Sequence, residues 1–140
     1  MDIEIFTLCD FAQGQFGKTT IVGAFDSIYV NQVPFNFPQC HVAARIRFRN
    51  SESGKHSFSI SILSPDGMPV IPILRGDFKI PEVPGRDSSV QNIVLGINGM
   101  PIATYGRHSI VFSVDGQELR TLPLFVSTPP EKHKEEASFN

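Results

Sequence analysis

Apolar and polar residues alternate along much of this chain, and the period is two. In 57–63, Phe58, Ile60 and Ile62 face one way while Ser57, Ser59 and Ser61 face the other. A half-buried strand has this signature; a helix would scatter the three apolar residues around its circumference. The same alternation runs through 41–49. There Val42, Ala44, Ile46 and Phe48 form one face, and His41, Arg45, Arg47 and Arg49 the other, with Ala43 as a small exception. The polar link 50–55 between these strands predicts an antiparallel hairpin with a long loop.

Near the end, Ile110, Phe112 and Val114 alternate with Ser109, Val111 and Ser113, and Asp115-Gly116 leads into 117–126. Asp-Gly between alternating segments predicts a two-residue type I′ turn, which needs positive φ at both central positions. Leu122, Leu124 and Val126 continue the inward face. Pro123 lacks an N–H, so the last strand is expected to be an edge or to begin a new pairing there. Further strands are expected at 3–9, 19–25 and 90–97. A shorter one is expected at 70–74, demoted to an edge by Pro72. Ser64-Pro65-Asp66-Gly67, Asn98-Gly99 and Tyr105-Gly106 read as turns. The Pro-rich stretches 33–38 and 80–85 are excluded as central strands and read as crossings between sheets.

No segment sustains a helical period. About eight strands with turn chemistry between them predict an all-β protein, an antiparallel β-sandwich of immunoglobulin-like type. The sandwich is expected over 1–127. From 128 to 140 the composition turns charged and proline-broken, which predicts a flexible tail.

Composition changes this picture little. The 140 residues are 41% hydrophobic and 19% charged, with 12 Phe and no Trp, which suits one domain with its own core. The formal net charge is -2, so the molecule as a whole does not attract phosphate backbones or anionic membranes, and no nucleic-acid partner is predicted. The acidic start Met1-Asp2-Ile3-Glu4 moves directly into alternation, unlike a secretory signal, and no apolar run approaches a membrane span. A cytoplasmic protein without a membrane partner is expected, with Cys9 and Cys40 as buried thiols rather than a disulfide.

Several residues together resemble a known family. Glu4-Ile5-Phe6-Thr7-Leu8-Cys9-Asp10 is followed by Gly17-Lys18-Thr19-Thr20-Ile21-Val22-Gly23-Ala24-Phe25-Asp26, then by Pro38-Gln39-Cys40 and Ala44-Arg45-Ile46-Arg47-Phe48. The close runs from Tyr105-Gly106-Arg107-His108 through Val114-Asp115-Gly116 to Leu122-Pro123-Leu124-Phe125-Val126. This resembles DUF6941, a family of small bacterial and phage-associated proteins of unknown function. The resemblance covers the chain to about residue 126 and supports the fold and compartment. It implies no activity.

Candidate chemistry is sparse. Gly14-Gln15-Phe16-Gly17-Lys18-Thr19-Thr20 looks like a phosphate loop, but two residues rather than four separate the glycines and a strand follows instead of a helix. It reads as a hairpin loop. Cys9, Asp10, Cys40 and His41 are metal-ligand types, yet strand neighbours point to opposite faces, so no metal site or cofactor is predicted. Arg75-Gly76-Asp77 reads as a loop with ordinary surface charges. No Gly-x-Ser-x-Gly elbow exists, and the only conceivable nucleophilic pair, Cys9 with His41 or His108, rests on no spacing. No catalytic residue is predicted.

Two surface features remain. Arg45, Arg47 and Arg49 stand about 7 Å apart on one strand face, suited either to an anionic partner or to acids on a neighbouring strand. Asp10 and Asp26 each follow an apolar run, which puts them at strand ends. They suit acid–base or calcium chemistry, or Asx turns, and the turn role is favoured. These five residues form the expected interaction surface. The leading functional expectation is a non-enzymatic protein-interaction or self-associating module. The alternative is a small-ligand or carbohydrate-binding sandwich, followed by an enzyme of unrecognised type.

Overall fold

A computed structural model describes residues 1–130. It contains nine strands: β1 (Asp2–Gln15), β2 (Lys18–Phe25), β3 (Ser27–Tyr29), β4 (Phe35–Arg49), β5 (Gly54–Leu63), β6 (Leu74–Ile80), β7 (Ser88–Ile102), β8 (Gly106–Val114) and β9 (Gln117–Ser127). One sheet has the order β2-β1-β4-β7 and the other β3-β9-β8-β5-β6. All pairings are antiparallel except β3 with β9. No helix among the described residues is long and apolar enough to cross a membrane. The expected tail lies outside the described residues from 131 onward.

The alternating residues supply the core between the sheets. Val42, Ala44, Ile46 and Phe48 from β4 meet Ile60 and Ile62 from β5 and Ile110, Phe112 and Val114 from β8. Phe6 stacks on Phe112 across the two sheets, with ring centroids 5.0 Å apart. The Asp115-Gly116 turn joins β8 to β9 with positive φ at both residues, 53° and 79°, as its sequence requires. At Pro123, β9 pairs with β8 alone. Its pairing with β3 begins at Phe125, so the missing N–H falls on a free side.

Other expectations are corrected. β4 and β5 are not a hairpin: they belong to opposite sheets, joined by a 3₁₀ turn at Asn50–Glu52. Alternation fixes which face is buried, and both strands satisfy it equally well from either sheet. The stretch 33–38 does cross between sheets, but residues 35–38 already belong to β4. Pro38 is accommodated there because β1 pairs with β4 only as far as His41. Across from Pro38 the register passes from Asn98 to Met100, and Gly99 takes a φ of 87°. Asn98-Gly99 is therefore an irregularity inside a long strand, not a turn.

The strand expected at 70–74 begins only at Leu74. Arg75-Gly76-Asp77 lies in that edge strand rather than in a loop. Gly76 is needed there, since a Cβ would sit 2.5 Å from the Phe58 ring. The ninth strand, β3, is only three residues long and carries no pattern of its own.

Candidate functional site

Of the expected surface residues, Arg45, Arg47 and Asp26 are engaged through their side chains with the protein itself. β1 has a bulge between Ile3 and Ile5, and the extra residue is Glu4. Its Oε1 accepts from Arg45 Nε at 3.0 Å and its Oε2 from Arg47 Nε at 2.6 Å. The hydrogen bond from Arg47 leads the forces that hold the Glu4 carboxyl below its ordinary value, against a smaller opposing effect of burial. Arg47 also donates to Ser88 Oγ at 3.0 Å. Arg45 reaches Asn92 Oδ1 at 3.1 Å and the Gly17 carbonyl at 3.0 Å. Arg49 is exposed, and its backbone N–H donates to Glu52.

The Gly17 contact reveals a feature that the sequence does not announce. β1 pairs with β4 only from Asp2 to Cys9, then continues with β2 alone. The two-stranded ribbon folds back over the outer face of the sheet, so that its tip meets Arg45 and Asn92. Cys9, Ala12 and Ala43, with Ile21 and Val94 beside them, form a second small core beneath it. Cys9 and Ala12 share this cluster although three positions separate them, so the alternation breaks at the bend. Asp10 sits at that bend, inside β1 rather than at a strand end, opposite Gly23 with its φ of 68°. Asp26 does lie between strands. Its Oδ1 accepts from Ser27 Oγ, and its carbonyl accepts from the Phe125 N–H. Among the described residues, no hydrogen bond or ion pair joins Asp10 to Asp26, or either of them to the arginine row.

The thiols are free and buried. Burial pushes both up, Cys40 to about 11, so neither has thiolate character near neutral pH. Cys9 Sγ points at the His41 carbonyl at 3.7 Å, while the His41 ring is turned to the Asp10 carbonyl. His108 is buried on β8 and donates from Nδ1 to the Gly106 carbonyl at 3.2 Å.

A polar group that the sequence reading missed lies at the other sheet. His56 Nδ1 is 2.6 Å from Asp115 Oδ2, and its Nε2 is 2.6 Å from the Glu52 carbonyl. A carbonyl oxygen only accepts and an ionised carboxylate only accepts, so both ring nitrogens carry protons. The resulting imidazolium packs against Phe48 and Phe78, with centroids 4.8 and 5.6 Å away. Because Nε2 is committed to Glu52, this His–Asp pair has no free base to activate a nucleophile. It lines an open hollow of about 630 Å³ with Lys55, Ser57, Asp77, Phe78, Lys79 and Asp115.

The sheet edges differ sharply. β3 is short, β2 is bent at Gly23, and β6 carries exposed Arg75, Asp77 and Lys79. Shortness, kinks and charges are the ordinary protections of an edge. β7 has fifteen residues, pairs only with β4, and contains no charged residue. Beside its 90–94 segment stands the β1–β2 hairpin tip, with a hollow of about 410 Å³ between them. At the tip, Phe16 is 90% exposed with a φ of 54°. A left-handed conformation costs a side-chain-bearing residue roughly 1–2 kcal/mol, and Gly or Asn would relieve it. An exposed aromatic ring is thus held in a conformation that folding alone disfavours.

Comparison with known proteins gives one family. The model of DUF6941, described as a family of unknown function, matches residues 4–127. No curated protein matches the chain.

Proposed function

The chain belongs to the DUF6941 family, and on that premise we propose that it is a non-enzymatic protein-interaction module whose docking element is the free edge of β7. One observation carries the reading: β7 is a fifteen-residue edge strand without a charged side chain, in a protein whose other edges are short, bent or charged. Such an edge offers backbone N–H and C=O groups to an added strand. The neighbouring Phe16 ring is the kind of exposed aromatic that anchors an interface. Arg45 supports this role indirectly, by fixing the hairpin tip beside β7 through the Gly17 carbonyl.

The test compares the wild-type protein with a variant carrying Gly96→Lys and Asn98→Lys on β7, both exposed positions. Association that disappears in the variant while its circular dichroism is unchanged supports the reading. Association of equal strength in both proteins refutes it.

A second reading, a small-ligand or carbohydrate site, is favoured by the hollow at His56. Lys55 and Lys79 are directly opposite in register there, an arrangement that is unfavourable unless an anion offsets it. A thermal shift with inorganic phosphate or a sugar phosphate that vanishes on Lys79→Gln would support this reading; no shift would remove it for those ligands.

A further inference from the structure

We infer that the strand added to β7 is the β7 of a second copy of this chain, in antiparallel pairing about a two-fold axis, with Phe16 of each copy packed against the other. The inference rests on the reading of β7 as a docking edge and names its occupant.

Three observations point to a copy rather than to a different partner. First, β7 is neutral along its whole length. A partner of different sequence is best selected by opposite charges at the flanks of the edge. In an isologous interface every side chain near the axis meets its own kind, so a charge there would meet the same charge. Neutrality suits the second situation. Second, an antiparallel edge is self-complementary: it alternates outward N–H and C=O groups, and a two-fold rotation places donors opposite acceptors.

Third, the ring and the edge lie side by side. Phe16 and Gly17 border Val90, Gln91, Asn92 and Val94. Arg45 fixes the tip there through the Gly17 carbonyl, and Thr19 does so through Asn92. A strand laid along β7 passes this tip, so each copy both offers a Phe16 and receives one. Pro101 and the irregularity at Gly99 interrupt the far end. The regular stretch left for pairing is 88–98.

The experiment measures the mass of the full chain by sedimentation from low to high micromolar concentration. Exchange is followed on the same samples at the outward amides of 88–98, the alternate ones that do not bond to β4. The expected result is a dimer in which the outward β7 amides are protected. Gly96→Lys/Asn98→Lys should convert it to a monomer, because lysines on an edge strand oppose the addition of another strand. Phe16→Gly, which removes the ring while easing the turn, should weaken the dimer at least tenfold without impairing the fold.

A wild-type monomer with fast exchange of these outward amides overturns self-pairing and leaves β7 as a free edge, so the docking reading survives. A monomer with those amides protected means that the edge is already covered, and both fall. A dimer unaffected by either variant places the contact elsewhere and overturns this inference.

Discussion

His56 and Asp115 are joined by a 2.6 Å hydrogen bond that ties the start of β5 to the β8–β9 turn. Asp115 Oδ1 also accepts from the Ser57 N–H, and the Asp115 N–H donates to the Ser57 carbonyl. Burial pulls the His56 pKa down, but the bonds to Asp115 and to the Glu52 carbonyl outweigh it, and the net shift is upward from 6.5. Asp115 is held below its ordinary value, chiefly by the bond from His56.

A pH window of stability follows from those directions. The His56 contribution is complete below its unfolded value and is lost as pH rises through the raised folded value. The Asp115 contribution is complete above its unfolded value and is lost as pH falls through the lowered folded one. The pair therefore contributes fully between about pH 4 and 6.5. His56→Gln should flatten the decline in urea midpoint between pH 6 and 9. An unchanged decline would rule out His56 as its source.

Gly23→Ala should destabilise the protein by about 2–4 kcal/mol, from a left-handed residue together with overlap against the Asp10 carboxylate. Asp10→Gly should recover part of this loss by removing the overlap and leaving the backbone strain. Equilibrium denaturation of the two single variants and the double variant measures both. Additive losses would show that the two residues are not in contact.

Arg45→Ala should free the ribbon tip, since Arg45 alone bonds Glu4, Asn92 and the Gly17 carbonyl together. Amide exchange at 17–20 should quicken, while Arg49→Ala leaves it unchanged. Global stability should fall by only about 1 kcal/mol, as expected for a partly exposed ion pair. The Glu4 share should disappear as pH falls through its lowered pKa. Equal exchange in the two variants would show that Arg45 does not pin the tip.

Cys9 and Cys40 should resist a thiol-alkylating reagent at pH 8 in the native protein and react once it is unfolded. Both are fully buried, and burial raises both pKa values. Mass spectrometry of labelled protein reads this directly. Fast labelling of the native chain would mean that the ribbon over Cys9 opens readily.

Local chemistry alone determined a good deal of this protein. Alternation selected the buried face of β4, β5 and β8, because period two depends only on a strand having a wet side and a dry side. Asp115-Gly116 specified its turn through the φ values it tolerates. Pro123 marked the free side of β9. Other features were decided only when the chain closed on itself. Alternation does not say which sheet a strand joins, so β4 and β5 resembled a hairpin until the core separated them. Glu4 gives no hint of the two arginines some forty residues away that share its carboxylate. His56 became a cation because packing brought it two acceptors, from Glu52 and Asp115. The absence of charge in 88–102 was present in the sequence from the start. It acquired meaning only because the tertiary structure left that strand at the edge of its sheet, where unpaired backbone groups meet solvent instead of a neighbouring strand.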